Sequence, residues 1–320
     1  MKLEILAVIR EAKEEGRSEE KACELLQISV RRVREWKVRE ELADGKPGPQ
    51  KAPHALLKVE RRSIRKMARS AEYADDSHRI LAVKATDLGV VHASASSFYR
   101  QMRVEGMTTD RRGRRRKNGS SQRPEREEVM EANKRWCWDI SYLRTMLKGI
   151  FLYLYVVLDE FSRKVVAWRV SKSLSHLEGM EVVDEAVGCE GLRKEELEIL
   201  NLHNDRGIQM RAKGMVKMLK DLGINQVFSR PRTPNDNPFV ESAFSIVKGE
   251  PEYPGRFESE GGAREYFTEY FEGYNTIRLH GGIGYVTPEQ KHRGLDVAIL
   301  AERAKRKEKA RHHRLTMNRR

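Results

Sequence analysis

WCWDISYLRTMLKGIFLYLYVVLDEFSRKVVAWRV, residues 136–170, contains three extended apolar runs separated by two turns. In the first run, 136–142, Cys137, Asp139 and Ser141 share one face, while Trp136, Trp138 and Ile140 take the other. Successive side chains of a strand point to opposite sides, so this alternation predicts a strand. A turn near Lys148-Gly149 predicts a second strand at 151–158, and Glu160-Phe161-Ser162-Arg163 turns into a third at 164–170. Downstream, Ser175 with Glu178 reads as a capping box opening a helix that carries Val182, Val183, Ala186 and Val187. A fourth strand, 199–205, closes on Asp205. A helix with Met215, Met218, Leu219 and Leu222 follows, stopped by Gly223, then a short strand at 226–229. Asn237 and Pro238 have the chemistry of an N-cap and a first helical residue, so a last helix opens there.

Three antiparallel strands followed by α-β-α-β-α predict an RNase H-like α/β core, a mixed five-stranded sheet flanked by helices. In that arrangement the first and fourth strands are neighbours, so Asp139 and Asp205 converge. Glu241 arrives at the fourth position of the last helix, near its positive end. Three hard oxygen ligands with open positions suit Mg2+ or Mn2+. Two such ions can clamp the attacking and leaving oxygens of a phosphodiester displacement. Asp139, Asp205 and Glu241 are therefore the candidate catalytic and metal-ligating residues. His203 shares a strand face with Asp205 and either supports that site or is a satisfied buried histidine. Asn237, the N-cap, is a candidate support of that site, and Asp236 beside it reads as organising the helix start. Lys248, seven residues after Glu241, and Arg230, in the loop before the helix, are placed to meet DNA phosphates. Asp159 and Asp236 read as structural acids. Tyr274, Asn275, Arg278 and His280 either close the site from the C-terminal side or pack.

The charge balance agrees. Across 320 residues, 62 Lys and Arg exceed 48 Asp and Glu by 14, so a polyanionic partner is expected. The excess is clustered: six of the seven residues 111–117 are basic, and the final twenty residues repeat the pattern. Cys23, Cys137 and Cys189 have no paired spacing, which argues against a disulfide framework or a zinc site and fits a reducing cytoplasm. The N-terminus is charged too early for a secretory signal, and the longest apolar run, 151–158, is too short to span a bilayer.

Five segments follow. Residues 1–44 read as three short helices, with Ser18 and Ser29 as caps and Arg31, Arg32 and Arg34 on the outer face of the last. That pattern suits a helix-turn-helix DNA-binding domain. Residues 53–107 form a second helix-turn-helix-like helical domain. A basic flexible linker, 108–130, carries Arg114, Arg115, Arg116 and Lys117, a density suited to phosphates. The catalytic core occupies 131–298, and 299–320 form a basic C-terminal tail.

The strings Trp136-x-Trp138-Asp139-Ile140-Ser141-Tyr142-Leu143, Leu158-Asp159-x-Phe161-Ser162-Arg163-Lys164 and Leu202-His203-Asn204-Asp205-x-Gly207 are specific in combination. With them come Ser229-Arg230-Pro231, Asn235-Asp236-Asn237-Pro238-x-x-Glu241-Ser242 and Gly284-Tyr285-x-Thr287-Pro288. Together they resemble the integrase-type (rve) core of bacterial insertion-sequence transposases of the orfB type, over about half the chain. The sequence departs from that pattern at Asn204, where the family commonly has Ser. The resemblance implies a DDE mechanism: metal-dependent cleavage frees a 3′-hydroxyl, which attacks another phosphodiester without a covalent protein intermediate. It also implies double-stranded DNA as partner, both the element's terminal repeats and target DNA, and a homodimer or larger assembly on that DNA. The alternative is a catalytically silent DNA-binding repressor derived from a transposase.

Overall fold

The computed structural model describes residues 1–39, 42, 52–108, 128–229 and 237–319. The chain divides into two compact units, residues 1–55 with 318–320, and residues 56–317.

In the first unit, α1 (Lys2–Glu14), α2 (Glu19–Leu25) and α3 (Val30–Val38) enclose Ile9, Ala22, Cys23 and Val33. The Ser18 hydroxyl caps α2 by accepting from the Lys21 amide. Ser29 holds the N-cap position of α3 without a side-chain cap bond.

The second unit begins with α4 (Lys58–Arg69), α5 (His78–Asp87) and α6 (Ala95–Val104), packed on Ile64, Met67, Leu81, Ala85 and Phe98. Then come β1 (Arg135–Arg144), β2 (Phe151–Asp159), β3 (Val165–Ser171), α7 (His176–Glu190), α8 (Lys194–Leu197), β4 (Asn201–Asn204), α9 (Lys213–Leu222), β5 (Asn225–Phe228) and α10 (Pro238–Val247). The chain continues through α11 (Glu260–Thr276), α12 (Pro288–His292) and α13 (Asp296–Asn318). The sheet order is β3-β2-β1-β4-β5, with β1, β2 and β3 antiparallel and β4 and β5 parallel to β1. That is the RNase H-like arrangement. The alternation in β1 divides two cores. Cys137 and Leu143 pack with Val240, Ala243, Phe244 and Val247 of α10 and with α11, and Trp136 and Trp138 pack with α7 and α9.

Two local details differ from the capping expectations. Ser175 caps α7 through the Leu177 amide, but Glu178 turns away to the Ser171 hydroxyl at 2.8 Å and to Arg169, so the box is half formed. A neighbouring strand offered that carboxylate better partners than the helix start. Gly179 marks the close approach of α7 to the sheet: a Cβ there would lie 2.8 Å from the Trp138 ring. Gly179→Ala is expected to destabilise the fold by about 1–3 kcal/mol through overpacking. A chemical-denaturation midpoint equal to that of the parent chain would refute this.

The basic tail expected at 299–320 lies, through Asn318, in α13. Arg303 and Arg314 on this helix are buried. Arg303 grips Asp87 with two bonds of 2.7 Å and donates to the Tyr285 carbonyl. Arg314 grips Glu60 and donates to the His92 carbonyl at 2.7 Å, and Arg306 donates to the Thr86 and Asp87 carbonyls. These cations bind this chain's own helical block. Composition alone counts charges without seeing their partners. Among the described residues, no helix is long and apolar enough to cross a membrane.

Candidate functional site

The register of the sheet builds the site. β1 and β4 run parallel with Cys137 opposite His203. The ladder ends at that pair; Asp205, the residue after β4, lies two positions beyond His203 as Asp139 lies two beyond Cys137, and its charge acts on Asp139. Glu241 is on the first turn of α10, whose buried residues pack against the Asp139 face of β1.

Two contacts fix α10 to β1. Asn237 occupies the N-cap position, but its side chain does not cap; Nδ2 donates to the Trp138 carbonyl at 3.3 Å, next to Asp139 in the chain. Lys248, just past the helix, donates to the Ser141 hydroxyl at 2.6 Å and to the Tyr142 carbonyl at 3.2 Å. A third contact reaches the β2–β3 turn. The Arg163 guanidinium lies 3.4 Å from the centre of the Phe239 ring, and Arg163 takes a left-handed φ of 66° to present it. Sequence reading did not single out Ser141 or Arg163 for these roles. Ser141 sharing the face of Asp139 was the available signal.

The electrostatics show the three acids acting on one another. Burial pushes the Asp139 carboxyl up to about 7. The Ile140 amide, which donates to it at 2.8 Å, opposes that rise, and the charges of Asp205 and Glu241 add to it. Glu241, though its side chain is exposed, is likewise raised, by partial desolvation and by the charge of Asp205. Burial and Arg144 lower the Lys248 ammonium, against the pull of Asp139. Asp205 is exposed, and its Oδ1 accepts from the Gly207 amide at 2.8 Å. Asn204, the departure from the family pattern, is buried; its Nδ2 donates to the Asp205 carbonyl at 3.1 Å.

Among the described residues, no three His, Cys, Asp or Glu close to metal-ligating spacing. Like charges converge here: Asp205 and Glu241 raise Asp139, and Asp205 raises Glu241. The donor set fits a divalent cation: hard anionic oxygens, mutually repelling, on rigid elements. The amide oxygens of Asn204 and Asn237 are buried with no donor among the described residues. His203 is half-buried on the Asp139 face, level with Cys137.

Asp159, expected to be structural, is fully buried at the end of β2, and its carboxylate accepts from the Asn133 and Ser162 amides and the Ser162 hydroxyl. His292 links Ser162 to Glu190, at 2.9 and 2.7 Å. Burial opposes protonation of His292, but the hydrogen-bonded Glu190 carboxylate and the nearby charge of Asp159 prevail and raise it to about 9. This network stiffens the turn that carries Arg163. Tyr274 is in the core, Asn275 brackets the Val165 backbone with two 2.9 Å bonds, and Arg278 pairs with Glu250. His280 caps the short turn at Gly281–Ile283, through the Gly282 amide.

Arg31, Arg32 and Arg34 are exposed on α3 of the first unit. Arg31 pairs with Glu35, and Arg34 with Glu20 and Glu19. Arg114, Arg115, Arg116, Lys117, Arg230 and Asp236 lie outside the described residues.

Two family models, each described as an integrase core domain, match residues 130–234 and 222–288. The transposase of insertion sequence IS904 from Lactococcus lactis is 32% identical over 158 residues, covering 49% of this chain and 60% of that protein. The transposase InsF of insertion sequence IS3A from Escherichia coli is 32% identical over 159 residues, covering 49% and 53%. The match thus spans little more than half the length of these relatives. Among solved structures, the catalytic core domain of the HTLV-2 integrase aligns with a TM-score of 0.39 and 16% identity, over 52% of this chain and 99% of that one. From β1 through α11 the span 130–288 thus matches integrase core domain models, and over about half its length the chain is similar to bacterial insertion-sequence transposases.

Proposed function

We propose that this chain is a DNA transposase that binds the ends of an insertion sequence, cleaves them to expose 3′-hydroxyls and transfers those strands to target DNA. The observation that carries this reading is the convergence of Asp139 on β1, Asp205 just after β4 and Glu241 on the first turn of α10: the charges of Asp205 and Glu241 raise Asp139, and that of Asp205 raises Glu241. In cleavage, water bonds to phosphorus as the P–O3′ bond breaks, leaving a 3′-hydroxyl and a 5′-phosphate. In transfer, that hydroxyl bonds to a target phosphorus and the target's own O3′ leaves. Each bond broken is exchanged for another or hydrolysed, so no nucleotide cofactor is required.

Asp139, Asp205 and Glu241 would hold Mg2+ or Mn2+, two ions in the full site, which supply charge stabilisation at the attacking and leaving oxygens. The chain's own residues hold those acids in place: Asn237 and Arg163 fix the start of α10, and Lys248 its end. Lys248 sits where a phosphate could exchange for its Ser141 contact. Residues 1–44 and 53–107 would bind DNA, with Arg31, Arg32, Arg34, Arg230 and the run 114–117 contributing cations. His203 would support the acids from the same face of the sheet. The enzyme would work in the cytoplasm as a dimer or larger assembly on DNA, since two ends are processed together.

The site also predicts a pH effect. Asp139 titrates at about 7 in the folded chain against a reference of 3.8, so between these values the folded state holds a proton that the unfolded state releases. Without metal, stability therefore falls as pH rises from about 4 to about 7, and a bound divalent cation offsets that loss. The Mg2+-induced rise in unfolding temperature is expected to be larger at about pH 8 than at about pH 5, where protons compete for the ligands. An equal rise at both would contradict the placement of Asp139 in the metal site.

The reading is tested by incubating the chain with DNA flanking its reading frame, in Mg2+ or in EDTA. Nicked and joined products with 3′-hydroxyl ends, found only with metal, support it. Tight, salt-sensitive binding with no cleavage would replace it with a repressor.

A further inference from the structure

We infer that the exposed side of α4 is a sequence-independent binding site for the DNA backbone, separate from the carboxylates; this rests on the transposase reading. Within its twelve residues α4 carries Lys58, Arg61, Arg62, Arg65, Lys66 and Arg69. Its apolar side, Ile64 and Met67, is buried in the helical block. On the opposite side, Arg62, Arg65, Lys66, Arg69 and Ser70 line an open groove. One carboxylate serves it: Glu105 lies 3.3 Å from Arg65 Nε and 3.3 Å from Arg69 Nη2, which fixes two guanidiniums in direction. Arg62 and Lys66 have no anionic partner among the described residues.

Two other arginine-bearing helices behave differently. On α13, Arg303 and Arg314 are neutralised by Asp87 and Glu60. On α3, Arg31 and Arg34 are paired with glutamates of the same unit. The α4 groove retains its charge for an external anion. From Arg62 to Arg69 the helix rises about 10 Å, close to three nucleotide steps at about 3.4 Å each along one strand, the span of four phosphates. A row of cations on a helix side, with no amide side chain to pair with adenine and only Ser70 as a polar neutral group, is suited to phosphate oxygens.

The test uses the full chain in EDTA, so that no chemistry is required, and short duplexes of two unrelated sequences, followed by fluorescence anisotropy from about 50 to 200 mM salt. Arg62→Ala/Lys66→Ala is expected to make the log–log salt dependence shallower by about 1.8, equally for both sequences. Arg62→Lys/Lys66→Arg, which keeps both charges, should restore the slope and controls for folding. A steep slope in the parent chain that the alanine pair leaves unchanged overturns the α4 site and leaves the transposase reading intact. A parent chain that binds neither duplex overturns both. Polyglutamate that binds the parent chain but not the alanine pair, with the duplex slope unchanged, assigns the groove to an acidic protein and overturns the inference.

Discussion

Glu241→Gln is expected to lower metal-dependent nicking and joining by about 10²–10³-fold or more while leaving DNA binding intact. The substitution keeps the size of the side chain and removes the negative oxygen that a divalent cation requires. Glu241 is exposed on the first turn of α10, so no packing is lost. The same change has a second, opposite consequence. The charge of Glu241 is one of the causes that raise Asp139, so the amide lets Asp139 ionise more readily. In EDTA above about pH 7 the variant should therefore unfold at a higher temperature than the parent chain, and Mg2+ should raise its unfolding temperature by less. A merely structural glutamate would lower stability when replaced and leave the Mg2+ response untouched. Full activity in the variant would remove Glu241 from the site.

The placement of the candidate carboxylates was legible because it depends on alternation and strand order, which are local. Asp139 falls on the side of β1 that Cys137 and Leu143 commit to the α10 core, and the two tryptophans commit the other side to α7 and α9. Once the strands are ordered, Asp205 must follow β4 beside it. Asn237 and Pro238 marked the start of α10 correctly, yet the Asn237 side chain reaches Trp138 rather than its own helix. That contact spans 99 residues of sequence and has no local signature. The Ser162–His292 contact spans 130 residues and was hidden for the same reason. The C-terminal helix shows the limit most clearly. Its buried cations and its exposed ones are the same residue types at similar spacing. Only the placement of Asp87 and Glu60 decides which arginines are internal.

Arg314→Ala is expected to release the helical block from α13 at a cost of about 3 kcal/mol, the low end for breaking a buried ion pair. The low end applies because Glu60 is not left wholly unpaired: its Oε2 also accepts from the Leu57 amide at 2.8 Å. What is lost is a fork of three bonds of 2.7–3.0 Å to Glu60 and the bond to the His92 carbonyl, between side chains that are 8% and 16% exposed. Hydrogen exchange followed peptide by peptide separates this from global unfolding. Protection should fall by about two orders of magnitude in 58–104 and 296–318, and stay constant in the sheet. Glu60→Gln added to Arg314→Ala should recover part of the loss, because the second change removes the charge that the first left buried. Unchanged exchange in 58–104 would mean that Arg303 and Arg306 hold the block without Arg314. A uniform loss across the sheet would mean instead that helical block and sheet unfold as one cooperative unit.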